Sequence, residues 1–183
     1  MILPIVLYGN PVLRKKCKPI NVDFPELESL LENMWQTMYQ AHGVGLAAPQ
    51  IGLDIRVFIV DTVQTAKEDQ EKEERIKKVF LNAVLLSHGE EEVDYEEGCL
   101  SIPNIHGDVT RPDEITIQYQ DESFNTFTET FSGTNARVIQ HEYDHIEGIL
   151  FTEKLKPLKR VRLAKKLDKI KKGIVDCDYK VKR

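Results

Sequence analysis

The segment His141-Glu142-Tyr143-Asp144-His145 limits the possible folds and chemistries of this chain more than any other. On a helix, residues four apart share one face, so both imidazoles can reach the same metal ion. Glu142 is carried beside them, placed to take a proton from a water activated at that ion. Alone, the pattern suggests a zinc protease. A second segment, Glu97-Gly98-Cys99-Leu100-Ser101, changes that expectation. A Cys offered beside the His pair makes a Cys/His/His site with a fourth position left for water, which is the arrangement of a hydrolase.

The choice of Cys99 follows from what lies downstream. After His145 there is no further His, and the acidic residues are Glu147, Glu153, Asp168, Asp176 and Asp178. The third His of many zinc proteases is therefore absent, Glu is offered only close by, and Asp occurs only in a basic tail. Considered alone, Cys99 would read as a small buried hydrophobe; beside the His pair it reads as a ligand. Cys17 and Cys177 keep the hydrophobe reading. Asp144 either orients a ligand imidazole from behind or is solvated.

Three cysteines, odd in number and far apart, do not make a secreted disulfide framework. The N-terminus lacks a basic signal-peptide leader, and no apolar run approaches the roughly 20 residues that span a membrane. A reducing cytoplasm is the expected location, where Cys99 stays available as a thiolate. At 183 residues one domain, 1–183, is expected, long enough to bury a core without disulfides. Its charge is uneven. Residues 154–183 carry 13 Lys and Arg against three Asp, whereas the preceding residues carry 12 basic and 27 acidic side chains, and the formal total is −5. An acidic body with a basic tail implies a polyanionic partner for the tail alone.

Hydrophobic periodicity places the motifs. Asp23-Phe24-Pro25-Glu26 predicts a helix start with Asp23 as cap, followed by Leu27, Leu30, Leu31, Met34 and Met38 at helical spacing up to Gly43. Residues 55–60, 79–86, 115–119 and 126–131 are rich in β-branched side chains and read as strands. The charged stretch 64–78 reads as a solvated loop or hairpin tip, and 90–94 as an extended lead into the cysteine motif. Thr134 is the expected cap of a metal-bearing helix whose inner face includes Val138, His141, Glu142 and His145 and which ends near Gly148. Pro157 opens a basic helix over about 157–172, with Leu158, Val161, Ala164 and Leu167 as its apolar stripe. Strands around one inner metal-bearing helix make an α+β fold. Its sheets should be antiparallel or mixed, because links such as 120–125 are too short for parallel crossovers.

A third segment, Gly43-Val44-Gly45-Leu46-Ala47-Ala48-Pro49-Gln50, offers small residues for close backbone approach and an amide donor at Gln50. By itself it is equally a tightly packed loop. Taken together, residues 43–50, 97–101 and 140–145 resemble, in order and spacing, the three signature motifs of peptide deformylases. The resemblance extends from Gly9-Asn10-Pro11-Val12-Leu13-Arg14 to Gly148-Ile149-Leu150-Phe151.

The resemblance implies removal of the N-formyl group from nascent polypeptides that begin with formylmethionine. It implies one divalent metal, Fe²⁺ in the cell, with Ni²⁺, Co²⁺ or Zn²⁺ as replacements. With Cys99, His141 and His145 as ligands and Glu142 as base, the Gln50 amide and the Leu100 backbone N–H would hold the developing oxyanion. Family analogy puts Val44 and Val138 on the methionine pocket, and backbone around Gly45 and Gly98 alongside the peptide as an added strand. One departure stands out: many members carry Arg seven positions after the metal Cys, where this chain has His106. A weaker or pH-dependent grip on a substrate carbonyl is expected there, without loss of activity.

The resemblance also suggests the ribosome as partner of the basic helix, through ribosomal RNA. On that expectation, deleting residues 159–183 would weaken ribosome binding and leave turnover of free formyl-peptides nearly unchanged. The rival enzyme, an H-E-x-x-H endopeptidase, leaves residues 43–50 unexplained. The rival without catalysis, a metal-stabilised binding protein, needs neither Glu142 nor Gln50.

Overall fold

The structure, a computed structural model, describes residues 1–67 and 74–183. Strand β1 (Ile5–Val6) precedes helix α1 (Leu27–Gln40), then come β2 (Gly45–Ala47), β3 (Val57–Asp61), β4 (Lys77–His88), β5 (Glu92–Cys99), β6 (Ile102–Pro112), β7 (Glu114–Gln120) and β8 (Thr126–Ser132). Helix α2 (Gly133–Ile146) carries the His pair; helix α3 (Pro157–Lys171) follows, and β9 (Val181–Lys182) pairs in parallel with β1. Five strands form one antiparallel sheet in the order β2-β3-β4-β7-β8, and β5-β6 is a separate antiparallel hairpin. The expected α+β class holds. The short link between β7 and β8 closes an antiparallel pair.

Strand periodicity explains the layering. In register across β2, β3 and β4, Leu46, Ile59 and Val79 point to one side, and Ala47, Phe58 and Phe80 to the other. The first set packs with Leu31, Met34 and Met38 of α1. The second, extended by Ile115, Ile117 and Tyr119 of β7, receives Ala136, Ile139 and Ile146 of α2. Strand β3 is thus covered on both faces, which is why residues Val57–Val60 are continuously apolar and do not alternate. Each fully buried Leu or Phe in these layers contributes roughly 1.5–3 kcal/mol of transfer free energy. This packing makes α2 a rigid inner element for the His pair.

Several local expectations are corrected. Helix α1 starts at Leu27 with Glu26, not Asp23, at the cap position. Asp23 and Phe24 donate their N–H groups to Asn21 instead, and Pro25 bars Phe24 from helical backbone. Helix α2 is preceded by Ser132, not capped by Thr134, because pairing of Ser132 with Glu114 keeps the backbone extended to the last residue before the helix. The 11-residue β6 was not expected from sequence at all. Its inward positions include Gly107 and Arg111 beside Ile105 and Val109, so the apolar alternation is broken. Residues 90–94 do lead into the cysteine motif, with Glu92–Asp94 already ladder-bonded to β6 as the start of β5. Of stretch 64–78, expected as a solvated loop or hairpin tip, Lys77 and Lys78 instead open β4, and residues 68–73 lie outside the described ones. On α3 the docked stripe is Leu163, Leu167 and Ile170, spaced by four and three. Leu158 and Val161, expected on that stripe, are 62% and 73% exposed.

Candidate metal centre

Two rigid elements bring the candidate ligands together. The β5–β6 hairpin ends its first strand at Cys99, and one face of α2 carries both imidazoles. The ligand atoms of Cys99, His141 and His145 all lie within 4.8 Å of one another, with Cys99 Sγ 3.3 Å from His145 Nε2. Tetrahedral Zn–S and Zn–N bonding would separate such atoms by roughly 3.4–3.6 Å. The donor set therefore fits one divalent cation with a fourth position left over, and borderline N/S donors suit Fe²⁺, Co²⁺, Ni²⁺ and Zn²⁺ alike.

Behind the ligands lies a charged network that sequence reasoning missed. His141 Nδ1 donates to Glu97 Oε2 at 2.9 Å. A carboxylate only accepts, so the proton sits on Nδ1 and the Nε2 lone pair faces the site. Glu97 also takes two bonds from Arg111, at 2.6 and 3.0 Å, and one from Arg137 Nη1 at 3.0 Å. Burial opposes charge on Glu97, yet the bonds from His141 and Arg111 prevail and hold its carboxyl well below the usual range. Asp144 is neither solvated nor the orienting group: it is buried and accepts from Arg111 Nη1 at 2.7 Å. The orienting carboxylate is Glu97. Its position in the Glu-Gly-Cys segment was the available signal; Arg111 and Arg137 left none beyond their charge.

Glu142 is 4% exposed, and its Oε2 has no hydrogen-bond partner among the described residues. Burial pushes its carboxyl up to about 7, the range that suits a general base near neutrality. Gly45 backs directly onto it. A Cβ at Gly45 would lie 2.5 Å from Glu142 Oε1, so the carboxylate can occupy its place only because residue 45 has no side chain. Gln50 is 1% exposed. Its Oε1 accepts the Ala47 N–H at 2.8 Å, which leaves Nε2 turned toward Cys99 Sγ, 3.5 Å away. Leu100 lies in the two-residue turn between Cys99 and Ile102.

A cavity of about 390 Å³ opens at these groups and is lined by every expected site residue except His145, which is buried. Val44 and Val138 are half-buried in its wall. Gly98 pairs with His106 across the hairpin, and a Cβ at Gly98 would lie 2.6 Å from the His106 ring. His106 thus lies against the cysteine motif on an exposed rim. Cys17 is buried as expected, and burial raises its thiol to about 11. Cys177 is not: with Asp178 and Tyr179 it forms part of the cavity wall. Removing residues 159–183 would therefore take part of the cavity wall with it. Tyr179 donates its hydroxyl to the Leu100 carbonyl at 2.8 Å, a contact spanning 79 residues that no local pattern announces.

Comparison with known proteins adds an independent observation. A family model described as polypeptide deformylase matches residues 2–161. A peptide deformylase of Christiangramia forsetii is 52% identical over 100% of this chain and 96% of its own length. That of Flavobacterium psychrophilum is 53% identical over 100% of this chain and 97% of its own. The crystal structure of peptide deformylase from Thermus thermophilus superposes with a TM-score of 0.82 at 40% identity, over 94% of this chain and 99% of that one.

Proposed function

The chain belongs to the polypeptide deformylase family, and on that premise we propose that it hydrolyses the N-formyl group of N-formylmethionyl peptides, releasing formate and the free amine. The observation that carries this is the convergence of Cys99, His141 and His145, next to a cavity lined by Glu142, whose buried Oε2 has no partner among the described residues. The three ligands would hold one divalent cation, Fe²⁺ in the cell, which when bound supplies Lewis-acid activation of water at neutral pH.

The remaining chemistry belongs to the chain. Glu142 takes a proton as water attacks the formyl carbon. The Gln50 amide and the Leu100 N–H hold the charge that develops on the formyl oxygen; one such donor is worth roughly 100- to 1000-fold in rate. Glu142 then delivers the proton to the departing nitrogen as the C–N bond breaks. Val44 and Val138 receive the methionine side chain, backbone at Gly45 and Gly98 pairs with the extended peptide, and His106 offers a donor to a substrate carbonyl at the rim. A formyl carbon bears only hydrogen, so a tight site discriminates by size.

The test is turnover by protein purified anaerobically, with its metal content measured. Formate should be released from formyl-Met-Ala with at least about a 100-fold preference over hydrolysis of acetyl-Met-Ala. Cleavage of an internal peptide bond at a comparable rate would indicate an endopeptidase. No turnover by metal-loaded protein would indicate a binding protein.

We also propose that the substrate reaches the enzyme in the cytoplasm, at the ribosome, through α3. Residues 159–172 carry eight Lys and Arg, and Arg160, Arg162, Lys165, Lys166 and Lys169 are all exposed. No helix among the described residues is long and apolar enough to cross a membrane. Because the tail beyond α3 lines the cavity, charge removal on the helix is a cleaner test than truncation. Changing those five residues to Gln should weaken co-sedimentation with ribosomes at low salt by at least about tenfold and flatten its salt dependence. Turnover of free formyl-Met-Ala should stay near wild type. Unaltered ribosome binding would leave α3 as a solvated cover.

A further inference from the structure

Both groups assigned to the oxyanion are braced by the chain termini. The turn that carries Leu100 is held from outside at its two carbonyls: Tyr179 Oη–H donates to Leu100 O at 2.8 Å, and the Tyr8 N–H donates to Ser101 O at 2.9 Å. Tyr8 lies two residues after β1, and Tyr179 two residues before β9. The parallel β1–β9 pair brings them to the same turn, through Ile5 N–H to Lys180 O and Leu7 N–H to Lys182 O, each 2.8 Å. The same strand reaches the other donor. Lys182 Nζ donates to the carbonyl of Ile51 at 3.2 Å, the residue that closes the short helical turn bearing Gln50.

The tail is fixed on its upstream side as well. Asn104 of β6 donates its side-chain amide to Asp176 O at 2.6 Å. Between these anchors the Tyr179 ring packs, half-buried, with Leu100 against the cluster formed by α1 and the sheet. Burial pushes the phenol well above its ordinary range, so it remains a donor at any pH the enzyme meets. A hydroxyl seated in packed surroundings at this distance restrains the turn more than a solvent contact would.

We propose that the C-terminal segment from Asp176 to Lys182 positions the oxyanion donors, with Tyr179 as the residue that holds the Leu100 turn. The inference rests on the deformylase function proposed above and adds a role for a segment none of the three motifs includes. Tyr179 touches neither the ligands' metal position nor the reacting carbon in this scheme. It acts through Leu100, and its loss should therefore lower kcat and leave ground-state binding in place.

The variant is Tyr179→Phe, which keeps the ring and removes the hydroxyl. With wild-type metal content, it should show kcat on formyl-Met-Ala lower by about tenfold, part of what outright loss of an oxyanion donor costs, and KM within about twofold of wild type. In the zinc-loaded protein, hydrogen exchange at the Tyr8 amide, which donates to the same turn at Ser101 O, should speed up by about tenfold, the equivalent of one lost hydrogen bond. If wild type is active and the variant's kcat is unchanged, the positioning role is overturned and deformylation stands. A raised KM at unchanged kcat overturns it too, because Tyr179 would then be only a wall for the peptide. If wild type itself does not deformylate, that function fails, and the Tyr8 exchange rate decides alone: faster exchange supports the brace, and an unchanged rate overturns it.

Discussion

Replacing Glu142 by Gln should lower turnover of formyl-Met peptides by at least about 100-fold while leaving bound metal at its wild-type level. The exchange is nearly isosteric, so the packing around a side chain that is 4% exposed survives. What disappears is the ability to accept a proton from water and return it to the leaving nitrogen. The buried Oε2 has no protein partner among the described residues, so no neighbouring group stands ready to take over. Steady-state kinetics with parallel metal analysis checks this. A Gln variant turning over within a few-fold of wild type would remove Glu142 from the mechanism and leave it a buried carboxylate beside Gly45.

Cys99→Ala should lose metal and activity together. Removing groups that merely orient ligands commonly costs about 10- to 100-fold in metal affinity, so loss of the thiolate ligand itself should cost more. Two imidazoles would remain on α2, which is too few for a closed set. The surrounding protein should stay folded: the His141–Glu97–Arg111 bonds do not involve the thiol, and the β5–β6 ladder is made by backbone. The measurement is metal per chain after exhaustive dialysis. Full occupancy in the variant would show that a different residue supplies the third ligand. The two substitutions thus separate in a way that a general loss of structure would not: Glu142→Gln keeps its metal and Cys99→Ala does not.

The candidate metal centre was legible in the sequence because its donor atoms are brought together by local spacing. Two imidazoles four apart meet one ion on any helix, and no downstream His competes with Cys99 for the third position. Strands with β-branched runs and the Pro157 helix start were legible for the same reason, since they depend on patterns a few residues long. Element ends were less so. Asp23 has a capping side chain, but Pro25 and the Asn21 contacts decide where α1 begins. The stripe on α3 was misplaced by a few residues, because two apolar sets are available on that helix and only docking against β6 selects Leu163, Leu167 and Ile170.

What the tertiary structure alone decided is the environment of those reactive atoms. Glu97, Arg111, Arg137 and Asp144 come from two strands and a helix, and only their burial together makes them a network that fixes the His141 tautomer. The near-neutral titration of Glu142 belongs to its burial, which no property of the residue encodes. The contact of Tyr179 with Leu100 needs the chain to return past α3 and pair with its own beginning. The proposed ligand set is local, so the sequence by itself was enough to propose it. Desolvation, orientation of imidazole and amide, and the hydrogen bonds that hold the Leu100 turn depend on residues far apart in the chain, and only the packed fold could decide them.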